Sequence, residues 1–308
     1  MLKALPEKVK IVEVGPRDGL QNEKTIVSTQ DKIKFILLLA KSGLKSIEAT
    51  SFVRHDKIPQ MTDSKEVMVA LQKENQFKNL HLPCLVPNLK GLEIAHSSGV
   101  KEIAVSSATS DTFNKKNINA TVEESLARLD PVIKEALNLG MRVRGYISTV
   151  FGCPYEGKTK SLEKLKKVLS FYLDKGVYEV SLGDTIGHGN PLEVTSVLRE
   201  LRKDFDIKSL AMHMHDTRGM ALANILASLE MGITVFDSSA GGLGGCPYAK
   251  GASGNCATEE LVYLFESMGI STGINLSELI KASSFILDKV KKEGSSKFFM
   301  AYKKENNS

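Results

Sequence analysis

Residues 10–42 read KIVEVGPRDGLQNEKTIVSTQDKIKFILLLAKS. A short β-branched run (KIVEV, 10–14) is followed by a turn built on glycine and proline (GPRDG, 15–19). From residue 29 to 42, Ile33, Ile36, Leu37 and Ala40 recur at helical spacing. A strand feeding a helix is half of a parallel crossover, and no GxGxxG follows this strand, which argues against the dinucleotide-binding version of the unit.

The same alternation continues along the chain. Apolar, β-branched runs recur at 46–51, 81–86, 102–106, 142–150, 179–182, 210–215 and 234–238, eight with the first. Helically spaced segments such as 122–139 and 221–231 lie between them. Strand and helix in strict alternation predict a parallel sheet, and eight units fit a closed (β/α)₈ TIM barrel better than an open doubly wound sheet. Gly43, Gly99, Gly140, Gly176, Gly232 and Gly269 stand where helix stop signals are expected. After the eighth unit, 276–292 predicts a further helix with a polar tail. The expected organisation is a barrel catalytic domain over 1–270 and an appended C-terminal helical extension over 271–308.

The chain has 308 residues, 42% of them hydrophobic and 25% charged, which excludes disordered and collagen-like classes. Lys+Arg number 41 against 36 Asp+Glu, a net +5 spread singly, so no nucleic-acid partner is expected. The longest purely apolar run, 35–40, is far short of the roughly 20 residues of a membrane span. The start carries Lys3, Glu7 and Lys8 and no signal or transit pattern. Cys84, Cys153, Cys246 and Cys256 lack CxxC spacing, so a reducing cytoplasm is expected rather than a disulfide framework or a structural zinc.

Chemistry in such a barrel sits where strands end and loops into helices begin. The first strand ends in Arg17 and Asp18, a cation beside a carboxylate, for which a surface turn with a local ion pair is the plain alternative. The seventh ends Met212-His213-Met214-His215-Asp216-Thr217, and side chains alternate along a strand, so the two imidazoles share one face and can hold one cation if a carboxylate completes the set. After the eighth comes AGGLGGCPYAKGASGN, 240–255, with six glycines in sixteen positions, a composition that suits a lid carrying Cys246, Tyr248 and Lys250. GCPY occurs twice, at 152–155 and 245–248. Loop mobility favours Cys246 over Cys153 as the functional thiol.

VEVGPRDGLQNE, IEATSFV, VPNLKG, FNKKNIN, VRGYIS, GCPYEGK, SLGDTIG, HMHDT and GLGGCPYAKGASGN, read in order, resemble the 3-hydroxy-3-methylglutaryl-CoA (HMG-CoA) lyase family over about residues 10–297. The resemblance implies cleavage of HMG-CoA to acetyl-CoA and acetoacetate, as in leucine degradation and ketone body formation, with Mg²⁺ or Mn²⁺ and no organic cofactor. It implies Asp18, His213, His215 and Asn255 as metal ligands, Arg17 as the catalytic arginine, Cys246 as the loop cysteine and Glu48 as an active-site carboxylate. Asp18 and His213 are the candidate bases, and Ser181 and Asp184 of SLGDTIG are expected at the substrate. A homodimer is likewise expected.

Lys291, Lys292 and Lys297 have two readings, a solvated helix face or a contact for the phosphates of coenzyme A. The chain departs from the family as known from animals in carrying Arg218 after HMHDT, an extra cation expected near the rim, and no cysteine in 300–308. Rival readings are the same chemistry on a larger branched 3-hydroxyacyl-CoA, an isopropylmalate-synthase-type condensing enzyme, and a non-catalytic barrel. The condensing enzyme normally appends a regulatory domain that about 40 residues cannot supply, and the non-catalytic barrel has no need of Arg17, Asp18, His213, His215, Cys246 and Asn255 together.

Overall fold

The computed structural model describes residues 5–54, 56–74, 79–159, 161–245 and 254–306. Its strands are β1 (Lys10–Glu13), β2 (Ser46–Ile47), β3 (Thr50–Ser51), β4 (Cys84–Leu85), β5 (Glu102–Ala108), β6 (Arg142–Ser148), β7 (Gly152–Cys153), β8 (Gly157–Lys158), β9 (Glu179–Asp184), β10 (Leu210–Met214) and β11 (Val235–Ser238). All eight expected runs carry strand, the second as two short pieces, and β7 with β8 forms an antiparallel hairpin in the loop after β6.

The main sheet is parallel throughout, in the order β2-β1-β11-β10-β9-β6-β5-β4-β3. Its two ends, β2 and β3, belong to one run of chain, so the order returns on itself. Around the break, Glu48 N donates to Glu13 O on one side at 2.8 Å, and Ala49 N donates to Pro83 O on the other at 3.0 Å. That closure is the (β/α)₈ barrel.

Outside the sheet lies a ring of helices: Thr29–Lys41, Ser64–Gln72, Leu89–Ser97, Val122–Asn138, Glu163–Asp174, Pro191–Leu201, Ala221–Glu230 and Thr258–Ser267. Local chemistry sets their ends. Ser28 caps the first through Asp31 N, and Thr121 with Glu124 forms a capping box on the fourth. The six glycines singled out above all adopt positive φ. At Gly43 a Cβ would also meet Gly273 O at 2.4 Å, so backbone conformation and close packing both require glycine there.

One apolar core joins the outer strand faces to the helices, while Val12, Val14, Ala211 and Val235 form a separate small cluster. The helix Leu276–Val290 buries Leu279, Ile286 and Leu287 in the main core and packs against Thr29–Lys41. The expected polar tail is instead a second helix, Lys297–Asn306. Its Phe299 is 1% exposed, and the Phe298 and Tyr263 ring centres lie 5.0 Å apart, so aromatic side chains anchor a segment that carries as many aromatic residues as lysines. Among the described residues no helix is long and apolar enough to cross a membrane.

Candidate active site

At the end of β1 the chain makes one wide helical turn, Gly15–Gly19, with Asp18 N and Gly19 N both donating to Val14 O at 2.8 and 3.1 Å. A Cβ on Gly19 would sit 2.8 Å from Ser239 Oγ and 3.0 Å from Leu243 Cβ. The glycine of RDG therefore lets this turn pack against the chain that follows β11, and the packing holds Arg17 and Asp18 at the barrel mouth.

Arg17, 7% exposed, donates to Asp18 Oδ1 at 2.6 Å and forms an ion pair with Glu48 Oε2 at 2.8 Å. Its guanidinium lies 5.4 Å from the centre of the Tyr146 ring, and the Tyr146 hydroxyl donates to the same Glu48 oxygen at 3.1 Å. Burial works against the Arg17 cation, but Glu48 and Asp18 outweigh it and hold the charge more firmly than in water. For Glu48 burial wins over Arg17 and its carboxyl is raised.

His213 and His215 project to the same side of β10, as alternation requires, with their Nε2 atoms 3.2 Å apart. His213 Nε2 is 3.9 Å from Asp18 Oδ2. One donor atom from each of Asp18, His213 and His215 falls within 4.8 Å of the others. Asn255 reaches the group from the far end of the glycine-rich segment, giving Nδ2 to Asp18 Oδ2 at 2.9 Å and to Leu243 O at 3.1 Å. Gly244 and Gly254 make that approach possible: both have positive φ, and a Cβ on Gly254 would lie 2.5 Å from Gly244 O.

The donor set suits a divalent cation. Asn255 Oδ1 is buried without a hydrogen-bond partner, an expensive state for an amide oxygen unless something positive faces it. Burial would raise the Asp18 carboxyl, yet Arg17, His213 and His215 hold it at about 2. Burial and the neighbouring His213 charge push His215 down to about 4. Both groups thus rest in the form that binds metal at neutral pH. One carboxylate, two imidazoles and an amide, with no thiolate among them, make a donor set that a divalent cation fits.

Beneath these residues the interior is charged where barrels usually carry Val, Ile and Leu. Arg144 on β6 donates to Glu179 Oε1 on β9 at 2.8 Å and to Asp237 Oδ1 on β11 at 2.7 Å, and Lys10 on β1 pairs with Glu179 Oε2 at 2.5 Å. β6 and β11 are not sheet neighbours, nor are β1 and β9, so these pairs meet through the lumen. Sequence reasoning did not single out Arg144, Tyr146 or Asp237. The available signal was a charged or phenolic residue at alternate positions inside an otherwise buried strand.

Other expected residues lie elsewhere. Ser181 Oγ donates to Asp237 Oδ2 at 2.6 Å, one layer below the imidazoles. The Asp184 oxygens accept from His188 N and Gly189 N at 2.9 and 2.8 Å, shaping the loop after β9. Cys153 is enclosed with Ala108 and Phe113, its Sγ 3.1 Å from Ser110 Oγ. The Arg218 cation is not free at the rim: Nη1 donates to Ile186 O at 2.7 Å and to Gly187 O at 3.1 Å. Lys292 pairs with Glu23 at 2.7 Å, while Lys291 and Lys297 are exposed on the extension outside the cluster. Cys246, with Tyr248 and Lys250, lies outside the described residues.

Known proteins share about half of this sequence and the same frame. The HMGL-like family model matches residues 8–286. The human mitochondrial hydroxymethylglutaryl-CoA lyase is 51% identical over 297 residues, 96% of this chain and 90% of that protein. The crystal structure of the hydroxymethylglutaryl-CoA lyase from Pseudomonas aeruginosa superposes with a TM-score of 0.94 at 45% identity, covering 98% of this chain and 99% of that one. An HMG-CoA lyase from Acinetobacter baumannii, solved in complex with coenzyme A and 3-methylmalate, gives 0.90 at 36% identity over 97% and 96%. With half its positions shared across nearly the whole length, and the barrel and its mouth built as described, the chain belongs to the HMGL-like family, among the HMG-CoA lyases.

Proposed function

We propose that this protein cleaves HMG-CoA to acetyl-CoA and acetoacetate, with Mg²⁺ or Mn²⁺ and no organic cofactor. The observation that carries the reading is the convergence of Arg17, Asp18, His213, His215 and Asn255 at one end of the barrel in a chain half identical to such enzymes. An acyl-CoA substrate is further supported by the relative that holds coenzyme A.

Asp18, His213, His215 and Asn255 would hold a divalent cation, which would supply the positive charge that makes a nearby hydroxyl more acidic. His213 and Asp18 are the candidate bases for the proton of the substrate's tertiary hydroxyl. Asp18, held at about 2, is a weak acceptor, and on either residue a lone pair engaged by the cation is not free for the proton. As the hydroxyl oxygen becomes the ketone of acetoacetate, the C2–C3 bond breaks and its electron pair passes to the thioester as an enolate. Arg17, permanently charged and anchored by Glu48, stabilises the enolate oxygen. Cys246 returns a proton to the new methyl carbon, a role open to a thiol that is mostly protonated at neutral pH. Ser181 and Asp184 act on the substrate side by shaping the floor and the loop of the site. A reducing cytoplasm suits the reading, since Cys84, Cys153 and Cys256 are free thiols.

The test is acetoacetate release from HMG-CoA by purified protein with Mg²⁺, with Mn²⁺ and after EDTA. Turnover abolished by EDTA and restored by either metal is expected. No turnover by protein with metal bound would overturn the substrate assignment.

A further inference from the structure

His213 and His215 look alike in sequence and differ in what stands behind them. Both Nδ1 atoms are buried without a well-angled hydrogen bond, but His213 Nδ1 has Asp237 Oδ2 at 3.3 Å, whereas among the described residues His215 Nδ1 forms no ion pair. Asp237 is itself pinned. Its Oδ1 accepts from Arg144 Nη2 at 2.7 Å and its Oδ2 from Ser181 Oγ at 2.6 Å, and Arg144 is fixed in turn by Glu179. The Asp237 side chain is fully buried, and these partners hold it beside His213.

From this geometry we infer that Asp237 is a positioning residue for the metal centre, setting the tautomer and the ring orientation of His213. A carboxylate paired with a guanidinium only accepts hydrogen bonds, so the imidazole nitrogen facing it carries the hydrogen. Nε2 is then left with its lone pair directed at Asp18 Oδ2 and His215 Nε2, the direction in which a cation is held. The arrangement makes His213 the pre-oriented imidazole of the two, with β11 as its support from across the strand boundary. The inference rests on the metal reading proposed above.

Asp237→Asn tests it, because Arg144 keeps an oxygen partner while the amide nitrogen turns toward Ser181 and His213. A donor then faces His213 Nδ1 in place of an acceptor, which puts the imidazole hydrogen on Nε2. Mn²⁺ titration of metal-stripped protein, followed by electron paramagnetic resonance of free Mn²⁺, should show binding about 10- to 100-fold weaker than wild type. Nitrogen-15 NMR of histidine-labelled, metal-free protein at pH 9 should show His213 protonated at Nδ1 in the wild type and at Nε2 in the variant. A purely structural role would lower the thermal midpoint and leave the tautomer unchanged. Wild-type affinity in Asp237→Asn overturns the inference alone, whereas wild-type protein that takes up no Mn²⁺ overturns the metal reading. Should the variant fail to fold, the wild-type spectrum decides, and a bare Nδ1 on His213 refutes the assignment.

Discussion

Replacing Arg17 by Met separates two jobs that one side chain performs. Arg17 is the cation beside Glu48, whose side chain is fully buried and whose Oε1 has no hydrogen-bond partner. Without Arg17 the ionised Glu48 keeps only the Tyr146 hydroxyl. Loss of the pair at an effective dielectric of 20 removes about 4 kcal/mol of attraction. The alternative is for Glu48 to stay protonated, which at pH 7.5, against an unfolded value near 4.3, costs roughly 3 units of about 1.4 kcal/mol each, again about 4 kcal/mol. Both estimates fall in the roughly 3–5 kcal/mol range for breaking a buried pair.

The sign follows from the protonation route. A carboxyl raised in the folded state leaves stability intact below its unfolded pKa and removes it as pH rises. The Arg17→Met penalty should therefore shrink to about 1 kcal/mol at pH 5. It should also fall to about that size at pH 7.5 in a Glu48→Gln background, where no charge is stranded. Urea denaturation of the four proteins in this cycle, at both pH values, measures it. A penalty that is the same at pH 5 and 7.5, and the same with Gln at position 48, would refute the reasoning. Arg17→Met should release no acetoacetate in either background while still binding Mn²⁺, because Arg17 is not among the donors.

Gly254→Ala should weaken Mn²⁺ binding by about tenfold or more, since the new Cβ pushes the residue next to Asn255 away from the Gly244 backbone; unchanged affinity by titration would show that the loop closes another way. Burial raises Glu259 to about 7, so its contribution is complete below about 4.5 and is lost as pH rises toward 7. Glu259→Gln should accordingly gain on wild type by up to about 3 kcal/mol between pH 5 and 8 in denaturation experiments. Cys246→Ser should keep the wild-type thermal midpoint and lose most of the rate, and full activity would remove the thiol from the reaction. Replacing Lys291, Lys292 and Lys297 together by Ala should raise KM without changing kcat and flatten its salt dependence; a salt dependence that survives the change counts against the phosphate contact.

The sequence by itself determined the repeat and much of the site's membership. Parallel strands buried on both faces announce themselves as β-branched runs, and a helix end that needs positive φ calls for glycine whatever lies around it, so these features are written locally. His213 and His215 were legible for the same reason, two residues apart on a strand. The helix in the tail was missed because its aromatic anchors, chiefly Phe299, act only once a surface formed by distant chain is present to receive them. Only the tertiary structure decided which charges meet. Glu48 and Tyr146 are 98 residues apart, and Arg144 and Asp237 are 93 apart. No local pattern encodes such pairs, because they form across the lumen and their match depends on how the closed sheet is staggered. That stagger ties Arg218 to loop carbonyls, gives Asp184 to the loop after β9 and puts a carboxylate behind one imidazole and not the other.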